Sequence, residues 1–282
     1  MNISISISMS MTWQDWLDLL RLFAPVLVTA SAVGIAGGIV GVFVLLRGEP
    51  LMALALPQVV AIGSALALRW ELEGWRALPP PLAVALAALA YFVLTKRRGG
   101  AGTWVLPCLY VAGLSLSFLL IANKGQEVSK LQTLFTGIDV AVTTERAAIA
   151  SPILLLVALL CAMLWRRWLL IAQAPAAAEL ANLRPARWDA LFLVLLTITV
   201  LLGTDSLGVV MVLTMLFLPA AAVLPWAKRI PATLIASAAL SLLFLGIGFY
   251  LSNVMSWPLS QSVGGVGFTV VLISYVLAQL LR

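Results

Sequence analysis

The sequence predicts an all-α bundle of about eight or nine membrane-spanning helices, on three observations. The chain is 63% hydrophobic and only 10% charged, far below the roughly 25% charged residues of a soluble domain. Apolar runs of about 16 to 25 residues recur from Phe23 to the C-terminus, near the length a helix needs to cross roughly 30 Å of hydrocarbon. These runs are rich in Ala and Leu and show no strict alternation, which argues against a barrel.

The first ten residues alternate apolar residues with Ser and lack both a basic start and a long apolar core, so they do not make a secretory signal. Trp13, Trp16, Leu17 and Leu20 follow at helical spacing, opposite Asp15 and Asp18. That pattern suits a short helix lying among headgroups, and residues 1–22 are read as an interfacial lead-in to a single transmembrane domain, 23–282.

The first span, about Phe23 to Leu46, carries Gly34, Gly37, Gly38 and Gly41, small residues four apart that let another helix approach closely. A second span covers about Leu51 to Leu68, and a loop with Trp70 and Trp75 leads to a third, Leu82 to Leu94, which stops at Lys96-Arg97-Arg98. The fourth, Trp104 to Ile121, opens into a polar segment, Asn123 to Arg146, in which Leu134 to Asp139 is apolar enough to dip toward the membrane. The fifth, Ala147 to Leu164, delivers the chain into an interruption from Arg166 to Asp189. Beyond it come Ala190 to Leu202, a polar break Gly203 to Gly208 that makes one neighbouring segment a candidate half-span, then Val209 to Leu224, Ala232 to Leu251 and Val266 to Leu280.

Basic residues set the orientation. With the 166–189 interruption cytoplasmic, one face holds 11 of the 17 basic residues against three acids, Glu49, Glu179 and Asp189, a net +8; the other face is left at −2. The N-terminus is therefore expected outside, and the 166–189 loop and the C-terminus inside. The overall charge of +6 reflects this asymmetry and is no nucleic-acid footprint.

Composition excludes several chemistries. The chain has no histidine, which removes Ser-His and Cys-His nucleophiles, His-ligated zinc and His proton relays. No predicted span carries a carboxylate near its centre, which counts against proton or sodium coupling and against an intramembrane aspartyl protease. Asp139 and Asp205 sit in polar breaks, as solvated loop charges do. There is no Gly-x-x-x-x-Gly-Lys-Ser/Thr loop, so any ATP hydrolysis belongs to a partner. Cys108 and Cys161 lie in apolar runs and read as small core residues.

Two groups of residues remain as functional candidates. Gln58, one turn past Leu54 on the second span, either bonds a neighbouring helix or faces a pathway. Met211 and Met215, four apart, could offer thioethers to a soft ion but are more often core filler. The second group lies in the 166–189 interruption: Pro175 fits a first helical position, Glu179 stands among good helix formers, Asn182 tolerates a left-handed stop, and Arg184 and Arg187 follow around Pro185. The readings of a short docking helix and an ordinary structured loop stand about even on these residues.

Gly37-Gly38-Ile39-Val40-Gly41-Val42-Phe43-Val44-Leu45-Leu46-Arg47-Gly48 followed by Leu51-Met52, Leu134-Phe135-Thr136-Gly137-Ile138, Ala174 to Asp189, and Leu207 through Ala222 with its Leu218-Pro219-Ala220 ending together resemble the membrane permease of ATP-binding cassette (ABC) importers of the zinc, manganese and iron type. That family is distantly similar to the vitamin B12 and iron-siderophore permeases. The resemblance runs from about Phe23 to Arg282. It implies a type II importer fold in the inner membrane and no cofactor. The implied partners are a cytoplasmic ATP-binding subunit, a second permease copy or sister permease, and an external solute-binding protein, with membrane lipid around the chain. It makes Pro175, Glu179, Asn182, Arg184 and Arg187 the ATPase-coupling residues and places Leu54 and Gln58 on the substrate pathway, to which the thioethers of Met52, Met211 and Met215 are added here as candidates.

One departure bears on cargo. Family members commonly carry an Asp and a His one turn apart near the start of the second span, and here those positions are Leu54 and Gln58. Without them the pathway offers amide, hydroxyl, carbonyl and thioether groups, which favour a wrapped, low-charge cargo such as a metal chelate or small organic molecule over a bare ion. The rival classes are an ion-gradient-driven secondary transporter and a non-transporting assembly subunit.

Overall fold

The computed structural model describes residues 13–48, 50–70, 105–121, 125–136, 142–174, 178 and 183–281. Among them every regular element is helical. In chain order these are α1 (Trp13–Leu22), α2 (Ala24–Arg47), α3 (Pro50–Arg69), α4 (Val105–Ile121), α5 (Gly125–Thr136), α6 (Thr144–Met163), α7 (Trp165–Gln173), α8 (Pro185–Leu207), α9 (Val209–Val223), a 3₁₀ turn (Leu224–Trp226), α10 (Ile230–Met255) and α11 (Leu259–Leu280).

Seven of the described helices are long and apolar enough to cross a membrane: α2, α3, α6, α8, α9 with its 3₁₀ extension, α10 and α11. The 17 residues of α4 rise about 26 Å at 1.5 Å per residue, slightly short of the hydrocarbon thickness. The expected third span, Leu82 to Leu94, lies outside the described residues.

Proline and glycine set the helix ends. Pro25, Pro185 and Pro231 stand in first turns, where the missing N–H has no intrahelical partner to lose. Gly48 closes α2 in the left-handed conformation (φ 70°, ψ 25°) with its N–H turned back to the Leu45 and Val44 carbonyls. Thr143 caps α6 by accepting from the Arg146 N–H at 3.4 Å.

The polar break expected at Gly203 to Gly208 is mostly helix. α8 runs through Gly203, Thr204 and Asp205 to Leu207, and the chain turns only at Gly208 (φ 83°). No half-span results, because α8 and the unit of α9 with its 3₁₀ extension are each long and apolar enough to cross. The reason is that Gly203 sits in a helix–helix contact, where a Cβ would come within 2.6 Å of the Val212 side chain; tertiary packing outweighs its weak helix propensity. α8 also begins earlier than hydropathy indicated, at Pro185, so that Trp188 and Asp189 belong to its first turns.

α2 is the centre of the bundle, with α6, α8, α9 and α10 packed around it. Its glycine face makes that possible. A Cβ at Gly37 would lie 3.1 Å from the Met215 carbonyl oxygen on α9, and one at Gly38 would lie 3.0 Å from the Ser237 carbonyl oxygen on α10. Ser237 Oγ donates to the Gly38 carbonyl at 2.8 Å. Several buried hydroxyls bond instead to carbonyls within their own helix, as Thr29 does to Pro25, Ser151 to Ala147 and Thr199 to Leu195, which satisfies them without water. α3 and α4 form a second closely packed pair, and α11 covers α9 and α10 while leaving most of its own surface uncovered.

Candidate functional site: a buried glutamine and a charged clamp

Gln58 lies on α3 immediately after Pro57, which is inside the helix. Proline there cannot donate to the Ala53 carbonyl and loosens the helix at that turn. The Gln58 side chain is 2% exposed, and its Oε1 has no hydrogen-bond partner. Facing it on α4 is Gly113, where a Cβ would come within 2.6 Å of the Gln58 Cβ. Ser117 Oγ donates to the Gly113 carbonyl, so that oxygen is already engaged. The result is a buried, unpaired amide oxygen at a tight helix crossing, costly unless a donor or a cation meets it.

The other proposed pathway residues are dispersed. Leu54 is half-buried one turn before Gln58. Met52, Met211 and Met215 are all within the core of this chain, and Met215 occupies the seam between α2 and α9, its sulfur 3.4 Å from where a Gly34 Cβ would lie. Among the described residues no three Cys, Asp or Glu side chains converge as a metal-binding group. Asp205 ends on the surface beside Arg146, with 3.6 Å between charged atoms; Asp139 lies outside the described residues.

At the end of the bundle where α2 stops, α7 and α8 flank residues 174–184. The helix expected at Pro175 to Ala181, with Glu179 and Asn182, lies outside the described residues apart from Ala178. That residue is helical and fully buried, its N–H bonds to the Ala174 carbonyl, and its own carbonyl accepts from Leu183 at 3.0 Å. Arg184 precedes α8, and Arg187 is exposed on its first turn.

Beside this loop is a group that the sequence reading did not assemble. Arg47 Nη1 donates to Asp189 Oδ1 at 2.7 Å across 142 residues of chain. The guanidinium lies 4.2 Å over the Phe192 ring, a favourable cation–π position. Phe192 meets Trp168 edge-on at 5.6 Å, and Phe43 meets both. One sequence signal was available: Asp189 is one of only three acids on the expected inner face, and an isolated acid among eleven cations invites an ion pair.

The sequence profile of the ABC 3 transport family matches residues 20–279. The chain belongs to that family. It is similar to the manganese import system permease protein ScaB of Streptococcus gordonii, 26% identical over 230 residues that cover 79% of this chain and 81% of that protein. It is also similar to the manganese transport system membrane protein MntC of Listeria monocytogenes, 24% identical over 82% of this chain and 81% of that protein. Its fold matches a chain of the structure of PsaBC from Streptococcus pneumoniae in complex with Fab, with a TM-score of 0.81 and 22% identity, covering 94% and 95% of the two chains. A putative metal-chelate type ABC transporter in an inward-facing conformation shares the fold more distantly, at a TM-score of 0.68 and 17% identity, covering 95% and 91%. The ABC 3 chain is thus an all-helical, multi-pass membrane permease.

Proposed function

We propose that this ABC 3 permease is the membrane subunit of an importer that carries a divalent metal, manganese or an ion of similar size, across the inner membrane. The observation that carries the reading is the family match over nearly the whole chain, supported by relatives whose names specify manganese import. The chain lacks a phosphate loop, so a separate cytoplasmic ATPase supplies the energy, seated on the loop between α7 and α8. An external binding protein delivers the cargo, and a second permease copy or sister permease completes the pathway. ATPase closure moves the paired loops and alternates the access of the pathway.

The test is ATP-dependent ⁵⁴Mn uptake into vesicles holding the complete complex. Uptake that survives without the ATPase and follows an ion gradient would instead establish a secondary transporter. For orientation, a cysteine placed at Asn182 should react with an impermeant thiol reagent from the cytoplasmic side only, and labelling from outside intact cells would reverse the topology.

A second reading is favoured by Leu54 and Gln58. An unpaired amide oxygen beside a leucine is a poor site for a hydrated dication but an adequate partner for a chelate that already satisfies its metal. Competition of ⁵⁴Mn uptake by free Mn²⁺ against its chelates separates the two forms of cargo.

A further inference from the structure

We infer that Arg47 is a positioning residue for energy coupling: together with Phe43 it fastens the cytoplasmic end of α2 to both helices that bracket the ATPase-docking loop, Arg47 holding α8 and Phe43 meeting Trp168 of α7. This rests on the proposal that residues 174–184 contact an ATPase. Three observations converge on it.

The first is placement. Arg47 and Phe43 stand one turn apart at the end of α2. Trp168 belongs to α7, which enters the loop, and Asp189 and Phe192 belong to α8, which leaves it. The aromatic contacts and the ion pair therefore join three helices at one point. Because α2 is also the helix around which α6, α9 and α10 pack, displacement of the loop reaches the centre of the subunit by this route.

The second is burial. The Arg47 side chain is 6% exposed, and Phe43 and Trp168 are fully buried. Side chains packed to this degree transmit displacement and do not absorb it.

The third is that, among the described residues, the tie has no substitute. Arg47 Nε and Nη2 and Trp168 Nε1 are buried without acceptors, so Asp189 is the one carboxylate that balances the guanidinium among the described residues. Drawing α8 away from α2 would strand a buried charge whose remaining donors have no acceptor among the described residues, an outcome far costlier than separating an exposed pair. The three helix ends consequently move as one body. An arginine with several alternative acceptors would act as a hinge; this one acts as a rod.

The test uses the complete complex in vesicles, with ⁵⁴Mn uptake and ATP hydrolysis measured together for the native chain and for Asp189→Asn. Asp189 is 45% exposed, and the amide keeps its shape while removing its charge. Uptake per ATP should fall about tenfold with hydrolysis retained, at the upper range of coupling effects for residues that touch neither ligand. An unchanged ratio in the assembled variant overturns the inference. If the native complex itself shows no ATP-driven uptake, the importer reading fails instead. Should Asp189→Asn not assemble, spin labels at Leu46 and Leu191 in an otherwise native chain decide the matter. Their separation should stay constant through the ATP cycle, and a change approaching one helical turn, about 5 Å, would show that α2 and α8 do not travel together.

Discussion

Gly41→Ala should leave little folded protein. A Cβ at residue 41 would lie 1.7 Å from the Leu216 carbonyl oxygen and 2.8 Å from its carbon. Both obstacles are backbone atoms of α9, so no rotamer change relieves the clash, and α2 and α9 must separate along their length. That separation also opens the contacts of Gly37 with the Met215 backbone and of Gly34 with the Met215 sulfur. Overpacking at a rigid seam costs about 3 kcal/mol or more, a large part of a typical folding free energy. The measurement is the monodisperse fraction after detergent extraction, with the thermal midpoint of whatever survives. Gly246→Ala is the matched comparison: nothing lies within 4 Å of its Cβ position, and alanine there should be neutral or stabilising by up to about 1 kcal/mol through helix propensity. Equal stability of the two variants would refute the close packing of α2 on α9.

The glycines of α2 show how much of the fold hydropathy and residue size carried. Small residues four apart signalled a close helix approach, and the structure supplies α9 and α10 as the two neighbours. The order of the seven described spans followed from apolar runs. Boundaries did not, and Gly203 and Asp189 show why. Hydropathy treats Gly-Thr-Asp as a break and Arg-Trp-Asp as loop, whereas helix ends are fixed by hydrogen bonding and by what each side chain meets across the bundle. Gly203 is helical because α9 packs against it, and Asp189 is helical because Arg47 waits for its carboxylate.

The site was legible to a lesser degree for a similar reason. Gln58 stands out in sequence as a lone amide in an apolar span, and it is indeed buried with an unpaired oxygen. Periodicity, however, could not separate Met215, which fills a seam inside the subunit, from a residue that lines a pathway. Nor could it find the Arg47 clamp, whose members come from three helices and more than 140 residues of chain.

Paired substitution at Leu54 and Gln58 should convert the pathway's chemistry. Leu54→Asp with Gln58→His places a charged oxygen and an imidazole nitrogen one turn apart on α3, where Cβ atoms sit about 5–6 Å from each other. Leucine gives a cation nothing and the Gln58 amide only a neutral oxygen, whereas the new pair offers the hard and borderline donors that divalent transition metals prefer. Fit is not the obstacle: the tight contact with Gly113 is at the Cβ of residue 58, and glutamine and histidine share the geometry up to Cγ. Mn²⁺ affinity of the detergent-purified permease, read by the loss of the free-ion EPR signal, should rise at least about tenfold, equivalent to roughly 1.4 kcal/mol. Either single change should give less, because one ligand does not close a site. If the native chain already binds Mn²⁺ as tightly as the double variant, the chelate reading falls and Gln58 with backbone oxygens is sufficient for the bare ion. If the double variant gains nothing, α3 does not present this face to the cargo, and the pathway must be sought on another helix.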